Sequence, residues 1–307
     1  MKSTRVGLFF VLGATVHPQS AEAFLASHPR SHAFVVSSRN RGNYAFMAPA
    51  FVIRSTSPDN EYVEIFRDDF EKLDQSIWKY DLGRGPLNDG WGNWEKQTYT
   101  DSPQNSFVED SILHIKIIKQ DTPTEDGCYY TSARLTTSGT FNFTFGRVDT
   151  RVRLQHTNGP FSAVWALSDK VTDPKVSWPL CGEIDFFEYQ AIWDFTPSTL
   201  HFQDRHGNDS LSFHNTLLAA NEWHDISMEW TPDYIAFSQN GKEIGRYPRP
   251  ENATMENWPY NGENSFHLII NNAMSPSWSD DKPPSVDFTE HVLEVDYISV
   301  SQKRKEF

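Results

Sequence analysis

The chain has 307 residues, 14% of them aromatic with ten Trp, and a formal net charge of −14. That length holds one large all-β domain or two small ones, and it buries a sizeable core without covalent staples. The acidic balance disfavours nucleic acid and anionic lipid as partners and leaves neutral polymers open.

At the start of the chain, Lys2 and Arg5 precede an apolar run over 6–16, and Ala21-Glu22-Ala23 supplies a small-x-small cleavage pattern. The run is too short to span a bilayer, and no other segment is long and apolar enough to do so. Residues 1–23 read as a signal peptide. The chain is expected in the secretory pathway, secreted or in an endomembrane lumen, with no membrane partner. Residues 24–58 hold Arg30, Arg39, Arg41 and Arg54 among many Ser and Ala, with no acidic residue. Two readings of them stand. One is a disordered pro-segment. The other is a transit-peptide-like stretch that, with Phe24 after the cleavage point, resembles a bipartite presequence for a complex plastid. Sequons at Asn142, Asn208 and Asn252 fit a glycosylated secretory chain.

Residues 59–302 read as one folded domain and 303–307 as a solvated tail. Inside the domain the periodicity is that of strands, with almost no helical pattern. Short strand patterns follow in order over 112–118, 147–154, 162–167, 183–189, 199–202, 225–230, 234–239, 266–271 and 295–301. Asn158-Gly159-Pro160, Pro232-Asp233 and Asn240-Gly241 separate them, and Asn-Gly between apolar runs marks a hairpin. Many short strands with polar turns predict an all-β sandwich. Cys128 and Cys181 match no metal pattern; one bridge between them and two free thiols are both open.

The segment Cys181-Gly182-Glu183-Ile184-Asp185-Phe186-Phe187-Glu188-Tyr189 carries the chemistry. On a strand, Glu183 and Asp185 share one face, and strict alternation sends Glu188 to the apolar face. A β-bulge at Phe186–Phe187 adds one residue and returns Glu188 to the acidic face. Three carboxylates on one face repel one another, so at least one holds its proton near neutral pH while another stays ionised. Retaining glycoside hydrolysis needs such a nucleophile and acid, with carboxyl groups ~5–5.5 Å apart. Four effective strand steps separate Glu183 from Glu188 by ~13 Å along the backbone, a gap that side chains leaning across a concave sheet narrow. An acidic solvent-facing strand is the plainer alternative, although acids are depleted in strands. A Ca²⁺ or Mg²⁺ site is another, without a second ligand cluster nearby in sequence.

This chain resembles glycoside hydrolase family 16, in its laminarinase-like branch of endo-β-1,3-glucanases. The resemblance rests on Glu183-Ile184-Asp185-Phe186-Phe187-Glu188, which follows E-x-D-x-x-E rather than the shorter E-x-D-x-E of other branches. Further matches run in order: Gly92-Asn93-Trp94-Glu95-Lys96-Gln97-Thr98-Tyr99-Thr100, Tyr130-Thr131-Ser132-Ala133-Arg134-Leu135, Trp178-Pro179-Leu180-Cys181-Gly182, Glu229-Trp230-Thr231-Pro232-Asp233 and Val295-Asp296-Tyr297-Ile298. The resemblance implies a jelly-roll β-sandwich of two curved antiparallel sheets with a concave cleft for polysaccharide. It implies Glu183 as nucleophile, Asp185 as assisting acid and Glu188 as acid/base, with no cofactor for catalysis. Trp178, Trp165, His201, Arg134 and Asn93 correspond to sugar-binding positions, and Asp296 to a ligand of structural calcium in some relatives. A monomer is expected. The chain departs from the pattern at Asn271-Asn272-Ala273-Met274-Ser275-Pro276, where a Gly pair is usual, and at Gly159-Pro160-Phe161-Ser162, where Trp-Pro is usual. Those departures bear on subsite shape.

The resemblance leaves three readings to compare. The first is a retaining β-1,3-glucanase. The second is the same chemistry, or transglycosylation, on a mixed-linkage glucan or an algal galactan. The third is a non-catalytic β-glucan-binding recognition protein, a class that has typically lost the glutamates kept here.

Overall fold

A computed structural model of the chain describes residues 62–203, 210–275 and 283–304. The signal-peptide and presequence readings over 1–58, the sequon at Asn208, and Pro276 lie outside these residues.

Alternation of apolar and polar residues is clearest over Gly146–Leu154 and His224–Trp230, where every second side chain is buried. Such strands face a core on one side and water on the other. The described residues form β1 (Tyr62–Asp68), β2 (Lys79–Tyr80), β3 (Gln97–Tyr99), β4 (Ser106–Glu109), β5 (Ile112–Lys119), β6 (Tyr130–Ser132), β7 (Arg134–Thr136), β8 (Gly146–Leu154) and β9 (Pro160–Ser168). They continue with β10 (Glu183–Gln190), β11 (Phe195–His201), β12 (Ser210–Thr216), β13 (His224–Trp230), β14 (Tyr234–Gln239), β15 (Lys242–Pro248), β16 (Phe266–Met274) and β17 (Glu290–Lys303).

Two sheets result. The first runs β15-β14-β13-β8-β17-β5-β6-β3, with β1 on β17 and β4 on β5. The second runs β12-β11-β10-β9-β16-β7-β2. All strand pairs are antiparallel except β3 with β6. This is the expected jelly-roll sandwich. Between the sheets, Val148, Val152, Ile226, Met228 and Trp230 of the first sheet meet Val164, Ala166, Ile184, Leu200, Leu268 and Ile270 of the second. Burying each large apolar side chain stabilises the fold by about 1.5–3 kcal/mol.

The second sheet differs from the first in its outer face. β9, β10 and β16 are buried along nearly their whole length. Both faces of these strands are covered, one by the core and the other by the walls of a cleft. Asn240 (φ 50°) and Gly241 (φ 75°) make the predicted hairpin turn between β14 and β15. The pattern over 199–202 captured only the end of β11, which begins at Phe195 and keeps its register through Pro197 opposite His214. Lys303, read as the start of the tail, is the last residue of β17. Cys128 and Cys181 are free thiols, both buried.

Candidate active site

Strand β10 positions the acids. Glu183 pairs with Leu167 of β9, Asp185 with Trp165 and Glu188 with Ala163, and the register shifts between Asp185 and Phe187. Phe186 is therefore the extra residue, as the sequence pattern required. It brings Glu183, Asp185 and Glu188 onto one face, while Ile184, Phe186 and Phe187 are buried in the core. The chain enters β10 through Gly182 at φ 86°, where a Cβ would stand 3.0 Å from Pro259. The Tyr260 hydroxyl meets the Glu183 carbonyl at 3.0 Å and the His201 carbonyl at 2.8 Å, tying the starts of the acidic strand and its neighbour together.

The same alternation builds the cleft floor. Phe161, Ala163, Trp165 and Leu167 of β9, Thr199 and His201 of β11, Ser212 of β12 and Asn271 of β16 line a cleft of about 740 Å³ with the three acids. All five expected sugar-binding residues touch this space with defined partners. Trp178, 45% exposed, donates its indole N–H to Glu183 Oε2 at 3.2 Å. His201 Nε2 lies 3.2 Å from Asp185 Oδ2 and 3.7 Å from Glu183 Oε1. The Trp165 indole donates to Asn271 Oδ1 at 2.7 Å. Arg134 holds its guanidinium between the rings of Trp91 and Trp165, 4.4 and 4.8 Å from their centroids, with Nε donating to Asp81 at 2.9 Å. Asn93, the fifth, reaches the cleft from the coil Gly90–Trp94 and donates to Glu95 Oε1 at 3.1 Å.

The electrostatics separate the two glutamates. Burial and then the charge of Asp185 push Glu188 above the usual carboxylate range, against a hydroxyl hydrogen bond from Thr199 at 2.8 Å and the charge of His201. Burial, and less strongly the charge of Glu188, also raise Glu183, but His201, Arg134 and the Trp178 N–H oppose that rise. Asp185 is raised by burial and by Glu183, against His201. Burial pulls His201 down, yet its carboxylate neighbours, Asp185 first, outweigh it and lift the imidazole to about 10. His201 is thus a cation among the three acids. Glu183, Asp185 and His201 present ligand atoms within 4.8 Å of one another.

Asp296 lies apart from this face. It is the unpaired residue of a bulge in β17, where the register shifts between Val295 and Tyr297, and Arg151 stands 3.8 Å from its carboxylate. Calcium takes six to eight oxygens. Among the described residues Asp296 joins no cluster of three ligand side chains.

Several cleft residues escaped the sequence reading. Asn271 and Glu95 stand inside motifs quoted above, Asn271 bridging Trp165 to the Tyr99 hydroxyl at 3.1 Å. Glu95 is buried and accepts from Asn93, Gln97 and Tyr99. Trp91 and Thr199 carried no signal beyond their residue type.

Comparison with known proteins sets this geometry in context. Residues 93–288 match the family described as Glycosyl hydrolases family 16. The chain is 32% identical to a Beta-glucanase of Rhodothermus marinus over 77% of its own length and 84% of that protein's. It is 29% identical to Glucan endo-1,3-beta-glucosidase A1 of Niallia circulans, covering 78% of this chain and 38% of that one. The laminarinase catalytic domain from Thermotoga maritima superposes with a TM-score of 0.69 at 28% identity, over 80% of this chain and 99% of that one.

Proposed function

The chain belongs to glycoside hydrolase family 16 and is a glycosidase, and on that premise we propose that it cleaves β-1,3-linked glucan of the laminarin type by retaining double displacement. The observation that carries the mechanism is the contrast between the glutamates. Glu183 is surrounded by groups that favour its anion: the Trp178 N–H, cationic His201 and Arg134. Glu188 is held protonated by burial and by Asp185. Two carboxyls with environments that pull their proton affinities apart supply a nucleophile and an acid.

In the first step a Glu183 oxygen bonds to the anomeric carbon as the glycosidic C–O bond breaks, and Glu188 gives its proton to the departing oxygen. In the second, Glu188 as a carboxylate takes a proton from water. That water oxygen bonds to the same carbon, and the ester to Glu183 breaks. Asp185 lies between them on the strand and shares its negative field with His201 at 3.2 Å. The choice of β-1,3-glucan is supported by the relatives named for that linkage. The intact acids disfavour a purely glucan-binding role.

The test is reducing-sugar release by the chain on laminarin, lichenan, curdlan, agarose and xyloglucan. Glu183→Gln is expected to lose hydrolysis by several orders of magnitude while still binding substrate. Normal turnover by that variant overturns the mechanism. Cleavage of another polymer with laminarin spared overturns the substrate.

We infer also that the chain enters the secretory pathway and is glycosylated. Supporting this are the charged start, the apolar run and the small-x-small site, together with two sequons, Asn142 and Asn252, on exposed positions. N-terminal sequencing of the mature protein is expected to begin at Phe24 or further along.

A further inference from the structure

Three large aromatic side chains stand well exposed among the described residues: Trp178 at 45%, Trp94 at 65% and Tyr129 at 54%. Trp178 borders the acids. The other two line one separate hollow of about 260 Å³, together with Arg84, Glu95 and Cys128. Exposed rings that share a hollow away from the acids are not explained by core packing.

The hollow adjoins the cleft, since Glu95 lines both. The coil between them turns successive residues in opposite directions: Asn93 lines the cleft and Trp94 the hollow. Trp94 holds φ 57°, a left-handed conformation uncommon for a bulky side chain. The coil is fixed at both ends. Gly90 sits where a Cβ would stand 2.3 Å from the Glu95 nitrogen, and the Lys96 N–H donates to the Met274 carbonyl at 2.8 Å. A fixed coil thus holds an indole out in water, beside the cleft that holds the acids.

Trp and Tyr offer an apolar face with a polar tip, which suits the C–H face and hydroxyl rim of a pyranose. The hollow is smaller than the ~300–1,000 Å³ of a self-sufficient ligand pocket. It suits a short stretch of a chain already anchored next door, where tethering raises the local concentration. We propose that Trp94 and Tyr129 form an outer sugar platform that takes the β-glucan chain as it leaves the cleft past Asn93, so that binding strengthens with polymer length. The proposal rests on the β-glucan reading above.

The test uses the full chain carrying Glu183→Gln, so that binding is read without turnover. Calorimetric titration with a β-1,3-glucan polymer and with its trisaccharide is repeated after adding Trp94→Ala and Tyr129→Ala. The polymer Kd is expected to rise about tenfold for the loss of two aromatic contacts. The trisaccharide Kd is expected to rise far less. Equal losses on both ligands, or none on the polymer, overturn the platform. A change in sedimentation with polymer binding intact also overturns it, by assigning the rings to a protein contact. If the parent Glu183→Gln chain binds neither glucan, the β-glucan reading itself fails and takes the platform with it.

Discussion

Glu183 and Glu188 are one residue type in two environments, and Thr199 is the side chain that tunes the second. Its hydroxyl donates to Glu188 at 2.8 Å, which favours the ionised form. Thr199→Val removes that donor with little change in volume and raises the Glu188 pKa further. The acid then keeps its proton to higher pH. The alkaline limb of kcat/KM is expected to move up by about one pH unit, the size of a charge-assisted hydrogen bond. A pH–rate profile that stays in place, or moves down, removes Thr199 from this role. Glu188 also has a stability consequence. Its folded pKa is raised, first by burial. Its favourable contribution is therefore full below the unfolded carboxylate value and is lost as pH rises through the folded one. Glu188→Gln has no charge to bury. Its melting temperature relative to the parent is expected to rise by ~2–4 °C or more between pH 4 and pH 8, at ~1.4 kcal/mol for each pH unit between the unfolded and folded values. A gap that stays constant across that range contradicts the assignment.

At the scale of the element, one bulge decides whether β10 is a catalytic strand. Phe186 is the residue that the register skips. Inserting one Ala after Phe187 adds a step that this bulge does not absorb, so alternation turns Glu188 into the core, where an unpaired carboxyl is costly. Hydrolysis is expected to fall by ~10²-fold or more, the share of a general acid, with a lower melting temperature. Activity within tenfold of the parent would show that the facing of Glu188 does not depend on the count of residues between it and Asp185. This element was legible in sequence because its error in alternation is itself a signal: an acid falls on the apolar face unless a residue is added. β8 and β13 were legible because water wets one face of each. β11 was half hidden, since Pro197 interrupts a strand pattern although the chain there keeps its pairing. β12 (SLSFHNT) and β15 (KEIGRYP) carry too little apolar alternation to register as strands. Trp91 could not be found at all. Its place over Arg134 depends on a coil with left-handed residues at Trp91, Gly92 and Trp94, which no strand or helix period describes.

Across the whole molecule, the two sheets are joined by polar contacts as well as by the apolar core, and one of these is sensitive to acid. Asn272 of β16 is fully buried. Its Nδ2 lies 3.0 Å from the Ile115 carbonyl of β5 and 3.1 Å from His291 Nδ1 of β17, so it reaches from the second sheet to the first. His291 Nε2 lies 2.9 Å from the Gln155 carbonyl. These partners fix the tautomer: Nε2 carries the proton and donates, and Nδ1 accepts from the Asn272 amide. Protonating Nδ1 would set one N–H against another in a site without water-facing surface. Burial accordingly pulls His291 down to about 4, with His156 adding a smaller push in the same direction. The sign follows from linkage. A histidine depressed in the folded state supports the fold fully above its unfolded value near 6.5, and that support drains away as pH falls toward the folded one. At ~1.4 kcal/mol per pH unit the loss is roughly 3 kcal/mol by pH 4. Gln at this position keeps one acceptor and one donor and takes up no proton. His291→Gln is expected to be the less stable protein at pH 7 and to lose less stability on acidification. Thermal melts between pH 7 and pH 4 should converge by ~6–12 °C. The buried acids of the cleft titrate equally in both proteins, so they cancel from that difference. Parallel melting curves across the range would place the proton uptake elsewhere and leave the strut between the sheets indifferent to acid.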